Sequence, residues 1–318
     1  MTPSAPTPIV ALAGGVGAAR FLRGLVRAAA PEAVSVIVNT GDDRHFYGVH
    51  VSPDLDIVTY TLAGRVDRQR GFGLEGDSFA LIDALRELGH ETWFRLGDAD
   101  FATCQHRTLR LAQGAGLAEV TDEIRRRFGV ATRLLPMSED PCPTLVELSD
   151  GGRVHFEEYL VRDGAPSDVE GVDLSAAQNT RPGPGVLEAL RAARSIIFCP
   201  SNPVVSIGPI LAVPGVREAL QESAAPVIAI SPIVAGAPVK GPADSLLRGI
   251  GAEVSARGVA RLYRELADGF VLDTRDREET SDVAALGLHC IAVDTLMHDV
   301  SVAERLARDV LELADSLR

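Results

Sequence analysis

The chain has 318 residues, 46% hydrophobic and 24% charged, enough apolar material for one large α/β domain or a domain with a sizeable insertion. A formal net charge of −13 and an aromatic content of 5% argue against nucleic-acid backbones, anionic membrane surfaces and base-stacking platforms as partners. Cys104, Cys142, Cys199 and Cys290 lie far apart with no C-x-x-C spacing, so they read as free thiols rather than a zinc site. No Lys or Arg precedes Arg20, so the basic region of a signal peptide is missing. No apolar run is long enough to span a bilayer, and a cytoplasmic protein is expected.

Residues 1–7 read as a loose tail. Residues 8–13 predict a strand that ends in Gly14, Gly15 and Gly17, and a helix follows with Phe21, Leu22 and Leu25 on one face. A strand passing to a helix through glycines lets backbone N–H groups approach a phosphate, and the helix start adds partial positive charge. The dinucleotide fingerprint needs a third glycine where Arg20 stands, and no Gly-Lys-Ser/Thr P-loop follows. A second strand at 34–39 leads to Asn39-Thr40-Gly41-Asp42-Asp43, and Pro53 marks a helix start with Asp54 and Asp56 in its first turn.

Further along, the pattern predicts a helix from Asp77 to Leu88, a short strand at 93–96 and two helices over 100–128 broken at Gly114-Ala115-Gly116. Strands follow at 131–136, 144–148 and 153–159, with Asp150-Gly151-Gly152 as a hairpin turn. Residues 101–180 are the expected insertion, smaller and α+β, between core segments 8–100 and 181–318. The βα rhythm then resumes: helix 186–192, strands 195–199 and 226–230, helices 242–250 and 256–267, strand 270–273, helix 277–286, strand 289–293 and a closing helix 299–316. This alternation implies a Rossmann-like, doubly wound parallel sheet.

Ligands of such sheets bind along the carboxyl edge. Asp42, Asp43, Asp54 and Asp56 all fall there, and clustered carboxylates require a cation or donors to offset them. They either cap turns and the helix start or hold a hard divalent ion such as Mg²⁺. A second loop, Pro200-Ser201-Asn202-Pro203-Val204-Val205-Ser206, follows strand 195–199 and either caps a turn or reads a nucleotide. Lys240, after strand 226–230, either meets a phosphate or is simply solvated. His45 and His50 lie close in sequence to the aspartates.

Seven segments in order resemble one family across nearly the whole chain: AGGVGAARFLRGL, NTGDD, SPDLD, LLPMSEDP, PSNPVVSIGPILAVPG, SPIVAGAPVKGPA and DTLM. They resemble the 2-phospho-L-lactate transferases of coenzyme F-420 biosynthesis. The resemblance implies transfer of a phospho-acid unit from a guanosine diphosphate ester to the ribityl hydroxyl of the deazaflavin Fo, with release of GMP, a need for Mg²⁺ and a homodimer. The acid is expected to be 2-phospho-L-lactate, enolpyruvyl phosphate or 3-phosphoglycerate.

On this reading Gly14, Gly15, Gly17, Asn39, Ser201, Asn202, Pro203 and Ser206 hold the nucleotide. Asp42, Asp43 and Asp54 hold the metal, and Asp42, Asp43 and Asp56 are catalytic, with Asp56 the first choice of general base. Asp54, Asp56, Arg95 and Ala99 meet the deazaflavin or the acid. Where the family reads GDRD and then ATH, this chain has Gly97-Asp98-Ala99-Asp100 and Ala102-Thr103-Cys104, and Cys142-Pro143-Thr144-Leu145 also departs from the usual pattern. A regulatory nucleotide-sugar-binding protein and a nucleotidyltransferase are the competing expectations.

Overall fold

The computed structural model describes residues 8–318; the tail expected at 1–7 lies outside the described residues. Among the described residues fourteen strands occur: β1 Ile9–Ala13, β2 Val34–Val38, β3 Arg44–Phe46, β4 Val49–Val51, β5 Arg133–Pro136, β6 Leu145–Leu148, β7 Arg153–His155, β8 Val169–Asp173, β9 Ser195–Phe198, β10 Val227–Ile230, β11 Ile233–Val234, β12 Ala237–Pro238, β13 Gly269–Asp273 and β14 His289–Val293. Seven of them build one parallel sheet in the order β14-β13-β10-β9-β1-β2-β5. Its inner strands are apolar on both faces, as a sheet covered on both sides requires. Val10, Leu12, Ile196 and Phe198 face one core layer, while Ile9, Ala11, Ala13 and Ile197 face the other.

Helix α1 (Gly15–Ala28) packs on the second of these layers through Ala18, Phe21, Leu22 and Leu25, beside the closing helix Val300–Ser316. The two helices touch at Gly24, where a Cβ would strike the backbone of Ala303. From β1 the chain runs outward through β2 to β5, then returns to β9 on the other side of β1 and continues to β14. The order therefore reverses between β1 and β9. Crevices at such reversals are where open α/β sheets bind ligands.

The expected α/β class and doubly wound sheet are present. Edge strand β5 lies inside the segment 101–180 yet pairs with β2, so that segment supplies a core strand as well as the separate antiparallel sheet β7-β6-β8. Helices α2 (Pro53–Leu62), α3 (Ala80–Glu87), α4 (Asp98–Ala112) and α5 (Leu117–Arg127) surround the carboxyl edge.

Several local expectations need correction. Residues 93–96 form no strand; Trp93 and Phe94 instead pack on Phe46, whose ring stacks 4.1 Å from Phe94. Residues 77–79 precede α3 because Asp77 and Asp98 cap each other's helices. Asp98 accepts from the N–H groups of Ala80 and Leu81, and Asp77 from those of Ala99 and Asp100. The strand expected at 153–159 stops at His155, and a helical turn carries Glu157 and Tyr159 inward. The helix expected at 256–267 ends at Tyr263, and that at 277–286 is a tighter turn followed by Thr280–Ala284.

Candidate active site at the carboxyl edge

β1 passes into α1 at Gly14, whose backbone is extended. Its N–H donates to Ser201 Oγ at 3.3 Å, and the Gly15 N–H donates to Asp54 Oδ1 at 2.6 Å. A Cβ on Gly14 would stand 2.6 Å from Asp54 Oδ2 and 2.7 Å from the Ser206 Cβ. On Gly17 it would strike the Pro200 carbonyl oxygen. These glycines therefore admit neighbouring loops of the same chain. The N–H groups of Gly14 and Gly15, expected to face a phosphate, are already engaged with Ser201 and Asp54.

Asn39, fully buried at the end of β2, joins three loops. Its amide nitrogen lies 3.2 Å from Asp42 Oδ2, 2.9 Å from Asp54 Oδ2 and 3.3 Å from the Val205 carbonyl, and its Oδ1 accepts from the Gly41 N–H at 2.8 Å. Gly41 is required here, because a Cβ would meet Thr144 Oγ1. Asp54 reaches the cluster from the first turn of α2 and Asp42 from the β2–β3 loop. The structure thus brings together Gly14, Gly15, Asn39, Asp42, Asp54, Ser201 and Ser206.

The carboxylates crowd. Burial pushes Asp42 well above the usual carboxylate range, and the charges of Asp54, Glu157 and Asp43 push it further. Burial raises Asp54 to about 6 against the hydrogen bonds from Asn39 and Gly15, and it raises Glu157, near Asp54, to about 8. Asp42 Oδ1, Asp43 Oδ1 and Thr144 Oγ1 are buried without a hydrogen-bond partner. Unpartnered buried oxygens of this kind suit a hard, oxygen-preferring divalent cation. The residues fit Mg²⁺ in donor type, and Asp42 and Asp43 are the side chains with oxygens to offer it.

Asp43 has further partners. Its Oδ2 accepts from Ser52 Oγ at 2.7 Å and lies 3.1 Å from His50 Nε2. Hairpin β3–β4 sets this geometry by pairing His45 with His50. Arg44 on the same hairpin pairs with Glu158 at 2.6 Å, and its charge opposes the rise of Glu157. Glu157 was missed by the sequence reading, because an alternating strand over 153–159 would not single it out. The Phe156-Glu157-Glu158-Tyr159 run, with its apolar ends three apart, was the available helical signal.

Asp56, expected to be the general base, lies beside the tip with a partner of its own. It points to α4, where its carboxylate is paired on both oxygens by the buried Arg107 guanidinium, Nη1 at 3.1 Å from Oδ2 and Nη2 against Oδ1. A carboxylate held this way forms a strong two-point ion pair. Asp100 and Cys104 crowd the same pair, and burial raises Asp100, which accepts from the Tyr60 hydroxyl, to about 7. Arg95 is exposed, 4.6 Å over the Phe79 ring and 3.7 Å from Asp83. Ala99 is exposed in the first turn of α4. Among the described residues, neither forms a hydrogen bond or ion pair with Asp42, Asp43 or Asp54. Asn202 turns its carboxamide oxygen to the N–H groups of Val204 and Val205, capping the helical turn that starts at Pro203.

With this geometry in view, the relatives become informative. The family model described as 2-phospho-L-lactate transferase CofD matches residues 9–311. The chain belongs to that family. A phosphoenolpyruvate transferase of Kitasatospora aureofaciens is 48% identical, covering 98% of both chains. A 2-phospho-L-lactate transferase of Methanosarcina mazei is 38% identical over 96% of this chain and 99% of that protein. In fold, a UPF0052 family protein of Bacillus halodurans superposes with a TM-score of 0.66 at 20% identity, covering 96% of this chain and 99% of that one. The family's transferase names agree with the class of activity expected from the motifs. Among the described residues, no single helix is long and apolar enough to cross a membrane.

Proposed function

We propose that this protein transfers an enolpyruvyl phosphate unit from its guanosine diphosphate ester to the ribityl hydroxyl of Fo in coenzyme F-420 biosynthesis, releasing GMP. Phosphoenolpyruvate transferases of Kitasatospora and Streptomyces are 46–48% identical to the chain, and 2-phospho-L-lactate transferases of Methanosarcina and Methanopyrus 38–41%. The higher identities favour enolpyruvate as the acid. Relatives named as transferases over the full length of the chain leave the regulatory-protein and nucleotidyltransferase readings without support.

In the reaction, the acceptor oxygen forms a bond to the phosphorus that carries the acid, and the bond from that phosphorus to the bridging oxygen of GMP breaks. The hydroxyl proton needs an acceptor. Asp43 suits this role, because Ser52 and His50 hold its Oδ2 while Oδ1 is left without a partner. Asn39 positions the tip by tying Asp42 and Asp54 to the loop after β9. A bound Mg²⁺ would neutralise charge on the diphosphate, with Asp42 holding it through its unpartnered Oδ1, which leaves Asp43 Oδ1 to take the proton. Phosphoryl transfer is catalysed mainly by positioning and charge neutralisation, which a rigid, buried acidic tip can supply.

The observation that carries this reading is the pair of buried, unpartnered oxygens on adjacent aspartates at the strand-order reversal, in a chain that belongs to the transferase family. The test is mass spectrometry of the product formed with Mg²⁺, Fo and each guanylated acid. Dehydro-F-420-0 as the main product, with GMP released only when Fo is present, is expected. A preference for phospholactate would overturn the choice of acid, and GMP release without Fo would overturn the transfer.

A further inference from the structure

On the flank of α1, one turn beyond the glycines, lies a cleft of about 150 Å³ whose lining includes Arg20, Arg23, Arg68, Asp67, His298 and Met297. Lys240 arrives from the segment after β12. A Cβ built on Gly71 would lie 3.2 Å from Lys240 Nζ and 4.0 Å from Arg20 Nη2, so both cations converge on that glycine. Gly71 has φ +77°, a conformation glycine adopts freely, and it leaves the space between them open.

Among the described residues, the side chains of these four cations form no ion pair or hydrogen bond. Arg23 Nε is buried without a partner. The acids nearby are committed elsewhere: Asp67 to Arg70, and Asp299 to His298 and the first turn of the closing helix. Burial lowers the Arg23 pKa, and the charges of Arg68, Arg20 and Arg27 lower it further, while Lys240 is lowered by burial and by Arg20. Asp67 lines the cleft but is held by Arg70, and Asp299 offsets only part of the charge around Arg23; in a chain of net charge −13, the excess of positive charge on this flank costs free energy in the empty protein. An anion relieves that repulsion.

We infer that Arg20, Arg23, Arg68 and Lys240 form a binding site for a phosphate or diphosphate group. The guanidinium forks suit phosphate oxygens, and the lysine adds a point charge. The group could come from a nucleoside diphosphate or from free inorganic diphosphate. The site is distinct from the carboxylates at the tip and does not depend on the reaction proposed above.

Isothermal titration of the full chain with inorganic pyrophosphate tests the site. The double variant R20Q/R23Q should bind at least about tenfold more weakly, since each charged hydrogen bond contributes on that scale. The control Arg126→Gln, at a surface pair with Asp122, should bind as the unaltered chain does. Without ligand, Arg23→Gln should melt at a higher temperature than the unaltered chain, because it relieves the repulsion. Competition then separates the sources. Displacement of pyrophosphate by GDP assigns the site to a nucleoside diphosphate, and GDP binding without displacement assigns it to the free anion. Failure of the unaltered chain to bind pyrophosphate, or equal binding by R20Q/R23Q, overturns the inference.

Discussion

The start of α1 divides two regions of opposite character. On the sheet side, carboxylates are packed into the fold and tied together by Asn39. On the cleft side, arginines and a lysine stand without partners. A third arrangement nearby, Asp56 with Arg107, shows the alternative: opposite charges buried together and paired with each other. The contrast teaches that buried charge alone does not mark a site. Asp56 is as buried as Asp42 and Asp54, yet its pairing is complete, whereas the tip leaves oxygens unpartnered.

The contrast can be broken experimentally. The largest expected effect is at the closed pair. Arg107→Met strands Asp56 in the interior and should lower unfolding free energy by about 3–5 kcal/mol in urea titrations. A loss near zero would mean that Asp56 is solvated and eligible as a base after all. Next is the open cluster. Asp43→Asn should reduce GMP release by about a hundredfold while the far-ultraviolet circular dichroism is unchanged. Near-normal turnover would remove Asp43 from the chemistry.

A pH series sharpens the same point. Asp54 and Glu157 are raised in the folded protein, to about 6 and about 8. The folded state therefore binds more protons than the unfolded one between the ordinary carboxylate range and those values. Stability is greatest below that window and falls as pH rises through it. The melting temperature without metal should drop between about pH 5 and pH 8.5, and Mg²⁺ should restore it at the alkaline end. A flat profile would mean that the tip is not crowded, and no effect of Mg²⁺ would mean that it is not a cation site. The smallest effect is expected at Arg95, which belongs to neither region: Arg95→Ala should change turnover by less than about twofold. A large change in the KM for Fo would return it to the substrate site.

Much of this arrangement was legible beforehand. Apolar runs such as Ile9–Ala13 and Val227–Ile230, each ending in a polar or glycine-rich loop, disclose a covered parallel sheet and its carboxyl edge. Asn39, Asp42, Asp43 and Asp54 follow from that edge. Asp54 and Asp56 could not be told apart by residue type, yet positions two apart on a helix face opposite sides, and only one can point at the glycine turn. Arg107 and Glu157 enter from segments far away in the chain, and local pattern carries no record of such partners. The close packing at Gly14 and Gly17 was hidden for the same reason: the neighbours they admit, Ser206 and Pro200, are remote in sequence. The loop at 93–96 looked like a strand because aromatic residues favour strands, but its rings found Phe46 instead of a pairing edge.

Gly24 carries a consequence for how the protein is made. The notch it leaves in the first helix is filled by Ala303, and β1 beside it waits for β9 from the second half of the chain. During synthesis the β1–α1 unit thus keeps one edge unpaired until β9 has been made, and one flank bare until the helix Val300–Ser316 follows. Its folding is a late, cooperative event, and a nascent chain stalled before the closing helix exposes apolar surface that chaperones would recognise.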